Sequence, residues 1–150
     1  MPNALTVFVD TNVLLYAQDP RTPAKQGMAE KWLLTCWDQS CGRISSQVLN
    51  ELYVNLRRVA PTMSPLACRT LVRRYRTWHP WQVDETTVDQ AWDVQDRFGF
   101  AYWDALMVAA AQMQGCELLL TEDLQHNQQI DKLRIVNPFL VSPDSLGRTT

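Results

Sequence analysis

The chain has 150 residues, enough to bury a continuous hydrophobic core in one domain, and 14 basic against 16 acidic side chains leave a formal charge of only −2. That balance argues against a generic basic nucleic-acid binder, and 46% apolar with 20% charged residues excludes a disordered chain. The longest charge-poor stretch, residues 98–114, is interrupted by Asp104, Gln112 and Gln114, so it is too short and broken to span a bilayer. With no basic segment ahead of an apolar one at the N-terminus, a cytoplasmic location is expected. Cysteines at 36, 41, 68 and 116 form no CxxC pair and only two histidines occur, so buried thiols are expected rather than a zinc site or a disulfide framework.

Residues 5–10 are β-branched and apolar and end in a carboxylate, which predicts a first strand. After Thr22-Pro23, residues Ala29, Trp32, Leu33 and Cys36 recur at helical spacing, with proline in the first turn. Residues 42–45 read as a short strand, and Ser46 is placed to cap a helix through about Val59, with Val48, Leu52, Asn55 and Val59 on one face. Pro61 stops that helix. Ser64-Pro65 opens another toward Thr77, which the stretch Trp78-His-Pro-Trp81 closes; a short strand is expected over 81–83.

An amphipathic helix follows over residues 86–98, through Val88, Trp92 and Gln95. Gly99 separates it from a helix over 102–114 that Gly115 caps. Residues 118–121 and 133–136 read as buried strands. Strands alternating with helices predict an α/β fold, a three-layer α/β/α sandwich with a mainly parallel central sheet. A single domain over 1–150 is expected, with a loosely held polar tail from about 142.

Charge is unevenly placed. Between Glu51 and Asp84 there is no acidic residue and no lysine, yet Arg57, Arg58, Arg69, Arg73, Arg74 and Arg76 all occur. Two solvated helix faces explain this, and so does phosphate binding, since a guanidinium grips phosphate oxygens through two parallel bonds. Arg57, Arg58, Arg73 and Arg74 are the candidates to touch an RNA backbone or an acidic protein segment. Arg57 and Arg58 lie on the same predicted helix as Glu51, beginning roughly 10 Å from it at about 1.5 Å per residue.

Four acids interrupt this pattern. Asp10 and Asp123 follow predicted strands, at the carboxyl ends where parallel sheets bind ligands. Glu51 lies within one turn of an apolar stripe, and Asp104 is the only charge in an apolar segment. Each has an ordinary explanation: Asp10 as a helix cap, Asp104 as a carboxylate favoured by the helix dipole, Glu51 as a rim residue paired with arginine, Asp123 as a loop acid. Together they suggest more, because clustered carboxylates repel and stay ionised only beside a compensating cation. A hard ion, Mg²⁺ or Mn²⁺, supplies that charge through oxygen ligands alone. Such an ion acidifies water and neutralises a phosphodiester during hydrolysis.

The segments Phe8-Val-Asp-Thr-Asn-Val13, Ser46-Gln-Val-Leu-Asn-Glu-Leu52, Tyr102-Trp-Asp-Ala-Leu106 and Leu120-Thr-Glu-Asp-Leu-Gln-His126 resemble, in order, the motifs of PIN domains. The closing Arg134-Ile-Val-Asn-Pro-Phe139 looks like the end of the VapC-like toxins. Asn127 departs from the glycine common at its place. The resemblance implies that Asp10, Glu51, Asp104 and Asp123 are catalytic metal-binding carboxylates supported by Thr11, Asn12 and Thr121, with Glu122 ranked below Asp123. It also implies a Mg²⁺-dependent endoribonuclease, the toxin of a type II toxin–antitoxin pair. Its RNA substrate would be structured, and it would form a homodimer blocked by a cognate antitoxin protein. A housekeeping RNA-processing nuclease without antitoxin and a non-catalytic RNA-binding scaffold remain alternatives. An aspartate-nucleophile phosphatase is disfavoured, because that chemistry wants an acid at position 12, which is Asn. The six tryptophans are expected in core and interfaces; Trp103, directly before Asp104, stands out.

Overall fold

The computed structural model of the chain describes residues 5–145. Strand β1 (Val7–Val9) is buried at all three positions, as is β3 (Leu118–Leu120). Successive side chains of a strand point to opposite faces, so unbroken burial means that helices cover both. The sheet has five strands in the order β2–β1–β3–β5–β4, with β2 (Gly42–Arg43), β4 (Gln129–Ile130) and β5 (Leu133–Val136). All neighbours run parallel except β4, which pairs antiparallel to β5. The three layers and the mainly parallel sheet are those expected from the sequence.

Among the described residues six α-helices surround the sheet: α1 (Thr11–Tyr16), α2 (Pro23–Gln39), α3 (Ser46–Val59), α4 (Pro65–Tyr75), α5 (Glu85–Phe98) and α6 (Tyr102–Met113). Their starts follow local chemistry. Ser64 Oγ and Asp84 Oδ1 accept the backbone N–H three residues on, at 3.0 and 2.9 Å, capping α4 and α5. The cap of α3 is Ser45, not Ser46. Ser45 has extended backbone and accepts from Val48 N–H at 3.4 Å, whereas Ser46 already lies in the helix and its hydroxyl accepts from Val83 N–H at 3.3 Å. The strand expected over 81–83 is reduced to one bridge, Trp81 against Ser45. Gly115 follows α6 with φ +69°, and Asn127 has the same left-handed φ of 69°, a conformation that asparagine tolerates in place of glycine.

The core runs along both faces of the sheet, with Phe8, Leu14, Ile44, Leu52, Leu56, Leu119 and Ile135 fully buried. On one side of α2, Trp37, Tyr75 and Trp78 pack ring against ring at 4.9–5.4 Å. Of the tail expected to be loosely held from about 142, residues 142–145 are described, with Pro143 buried and Asp144 paired with Lys31 at 3.0 Å, and the rest lies outside the described residues.

Candidate active site

β1 and β3 are adjacent and parallel, with Val9 beside Leu120. The chain leaves β1 toward β2 at one side of the sheet and leaves β3 toward β4 and β5 at the other. A crevice therefore opens between the carboxyl ends of β1 and β3, the switch point where open α/β sheets bind ligands. Asp10 and Thr121 are the first residues past those ends. Thr121 Oγ1 donates to Asp10 Oδ2 at 2.7 Å, and accepts Asp123 N–H at 3.0 Å. Asp10 precedes α1 but forms no side-chain cap there, so capping does not account for it.

The other acids converge on this crevice. Thr11 Oγ1 donates to Glu51 Oε1 at 2.6 Å, tying α3 to α1, and Gln47 Nε2, one turn earlier on α3, donates to Glu51 Oε2 at 3.0 Å. Glu51 thus takes hydroxyl and amide partners, and no arginine pairs with it among the described residues. Asp104 sits in the first turn of α6. Asn12 Nδ2 bridges Asp123 Oδ2 at 2.9 Å and Asp10 Oδ2 at 3.3 Å, while its buried Oδ1 has no partner among the described residues.

Glu122 is turned elsewhere. It accepts from Tyr16 Oη at 2.6 Å and from Lys25 Nζ at 2.8 Å. Burial works to raise its pKa, yet these two donors hold it below the ordinary glutamate value.

Burial pushes the Asp10 carboxyl up to about 7; the Thr121 bond opposes this, and the charges of Asp123, Glu51 and Asp104 add to it. Asp104 is also raised, by burial and then by Asp123 and Glu51. Four acids from four segments therefore feel one another, and none has an ion-pair partner among the described residues. Among those residues no three metal-ligating side chains close into a ready-made cage. A hard divalent ion that binds through one or two carboxylates and completes its shell with water and phosphate oxygens would ask less of these residues than a closed cage. Asp10 Oδ1, Asp123 Oδ1 and both Asp104 oxygens accept no hydrogen bond among the described residues. Those oxygens are free to meet a cation.

The four candidate arginines separate. Arg73 lines a groove beside α3, and Arg58 lines a small cavity with Asn12 and Tyr16. Arg74 instead lies over the Trp37 ring at 5.5 Å, and Arg57 is exposed. Gln47, Tyr16 and Lys25 were not read from the sequence as site residues; the spacing of Gln47 four positions before Glu51 is the signal that could have found the first.

Residues 7–132 match the family described as the PIN domain. No curated protein matches the chain. Among solved structures, a toxin–antitoxin complex from Klebsiella pneumoniae is similar, at 17% identity and a TM-score of 0.65, with 89% of this chain and 98% of the other covered. The DNA-bound VapBC of Salmonella typhimurium is similar at 19% identity and a TM-score of 0.60, covering 87% and 96%. A Mycobacterium tuberculosis VapC described as a sarcin-ricin loop cleaving toxin is similar at 22% identity and a TM-score of 0.57, covering 76% and 87%. At these identities the likeness is one of fold, and the match over most of its length shows that the chain belongs to the PIN domain family.

Proposed function

We propose that the chain is a metal-dependent endoribonuclease acting as the toxin of a type II toxin–antitoxin pair. One observation carries the reading: Asp10 and Asp123, past the ends of β1 and β3, share Thr121 and Asn12, and Glu51 and Asp104 act on Asp10 by charge, with no protein cation paired to any of the four among the described residues. Membership of the PIN domain family and a fold shared with toxins and toxin–antitoxin complexes support it.

Each residue has a role in this reading. Asp10 and Asp104, with free oxygens and raised pKa values, hold the divalent ion, Mg²⁺ or Mn²⁺, together with Asp123. When bound, that ion supplies positive charge against the phosphodiester and acidifies water. Thr121 aims Asp10 and fixes the turn that presents Asp123; Asn12 keeps those two carboxylates together. Glu51, held by Thr11 and Gln47, is the remaining carboxylate at the rim and a proton acceptor for attacking water. Water is the nucleophile in this reading, and the reaction is hydrolysis. A homodimer and a small antitoxin protein covering the acid cluster complete the proposal.

The test is induced expression of the chain alone in a bacterial host, with sequencing of new RNA 5′ ends. Growth arrest with discrete RNA cuts, both absent in Asp104→Asn and relieved by co-expressing the product of the adjacent gene, is the expected outcome. Normal growth with intact RNA contradicts the toxin reading. Arrest that no neighbouring gene relieves points to a nuclease without antitoxin.

A further inference from the structure

Two grooves meet on the α3 side of the acid cluster. The first, of about 420 Å³, is lined by Gln47, Glu51, Val83, Trp103 and Leu106; the second, of about 430 Å³, by Tyr53, Arg69, Arg73 and Arg76. Ser46 and Asn50 line both, so they form one continuous track leading from the acids to the arginines.

The arginine end is built by helix spacing. Positions 69, 73 and 76 are i, i+4 and i+7, which places them along one face of α4 and its C-terminal turn, over roughly 10 Å. No acid lines this groove, and Arg73 and Arg76 have no carboxylate partner among the described residues. Arg69 is steadied by Tyr53, donating to its hydroxyl at 3.1 Å with the guanidinium 5.9 Å from the ring centre.

At the acid end, Trp103 is 62% exposed although it neighbours Asp104. Its backbone is tied to α3, since Gln47 Nε2 donates to Trp103 O at 3.3 Å and also to Glu51, and the Tyr102 ring meets the indole edge-on at 5.1 Å. A large, exposed indole sharing this groove with the apolar Val83 and Leu106 offers a face for a planar group.

We infer that this track receives a single-stranded segment of RNA, with Arg69, Arg73 and Arg76 holding backbone phosphates and Trp103 stacking on a base beside the acid cluster. The inference rests on the nuclease reading above. A polyanion that carries planar bases uses both ends of the track, whereas an acidic peptide uses only the arginines. Bases already stacked in a duplex cannot lie on an aromatic face, which selects a single strand.

The test measures binding of a fluorescein-labelled mixed-sequence RNA of about twelve nucleotides by anisotropy, against NaCl concentration, in an Asp104→Asn background. Joint replacement of Arg69, Arg73 and Arg76 by alanine is expected to flatten the log–log salt slope by about 2, at about 0.7 per lost contact on single strands. Their joint replacement by lysine keeps most of the slope. Trp103→Ala weakens binding about tenfold at every salt concentration without changing the slope, and Trp103→Phe restores part of it. Lys132→Ala and Arg134→Ala, which line neither groove, leave both quantities unchanged.

A parent-like slope in the triple alanine variant, or equal losses in the two controls, overturns the track. So does a triple variant that keeps RNA but releases a poly-glutamate probe, which marks a protein-docking face. The unsubstituted chain is tested in parallel for cleavage of the same RNA with Mg²⁺. Cleavage alongside a parent-like triple variant removes the track alone; neither cleavage nor binding removes the nuclease reading with it.

Discussion

The Thr121 hydroxyl donates to Asp10 Oδ2 at 2.7 Å while accepting Asp123 N–H at 3.0 Å, so one side chain at the end of β3 orients two of the four acids. Thr121 is 1% exposed, and the valine of nearly the same shape fills its space without either bond. Groups that orient metal-binding side chains typically change affinity or activity by about 10- to 100-fold when removed. Thr121→Val is therefore expected to lose RNA cleavage in that range, with Thr121→Ser retaining most of it. A valine variant as active as the parent refutes this role.

Asp10 titrates near 7, far above its ordinary 3.8, chiefly because it is buried. The folded chain therefore keeps a proton that the unfolded chain has released between those two pH values. Stability of the metal-free protein falls as pH rises through that window and stays reduced above it. At about 1.4 kcal/mol per unit, the cost reaches a few kcal/mol. In EDTA at about pH 8, Asp10→Asn should raise stability by about 2–4 kcal/mol, with the gain shrinking toward zero near pH 4. Denaturant melts at both pH values check this, and a gain that is largest near pH 4 reverses the sign of the argument.

Adjacent acids should behave differently. Glu122 is held by Tyr16 and Lys25, whereas Asp123 is held by Asn12 and Thr121. Glu122→Gln should leave cleavage within about twofold, and Asp123→Asn should reduce it at least about tenfold, on the scale of metal-shell substitutions. Comparable losses in the two variants would place Glu122 in the site.

A fourth expectation concerns packing at the start of β2. A Cβ built on Gly42, in β2, falls 2.6 Å from Cε3 and Cζ3 of Trp78. Trp78 is buried between Trp37 and Tyr75 and has little room to retreat. Gly42→Ala should cost about 1–3 kcal/mol by overpacking, read by chemical denaturation. An alanine variant of parental stability shows that the ring yields.

Much of this architecture is legible because it depends on local pattern. β1 and β3 are continuous apolar runs, α3 to α5 carry clear periods bounded by serine, proline, aspartate and glycine, and α6 is a long apolar run between Gly99 and Gly115. The first helix is not legible: Val13, Leu14 and Leu15 are all buried, so it has no polar face to reveal a period. β4 escapes notice because two residues, one exposed, make no alternation. The acids draw attention one by one, since each interrupts apolar sequence or ends a strand. Their convergence is a tertiary fact, set by the register of β1 against β3 and by α3 packing on α1. For the same reason, sequence could not separate Arg73, which faces the groove, from Arg74, which covers Trp37.

A divalent ion held by the four carboxylates should set the rate of RNA cleavage. The most direct measurement is the initial rate of RNA cleavage by the purified chain against Mg²⁺ concentration, with Asp10→Asn, Glu51→Gln, Asp104→Asn and Asp123→Asn alongside. The expected rate saturates with Mg²⁺, vanishes in EDTA and returns with Mn²⁺, and it falls by about 100-fold or more in Asp10→Asn and Asp104→Asn while both stay folded. Cleavage that persists in EDTA, or that survives in both variants, contradicts it.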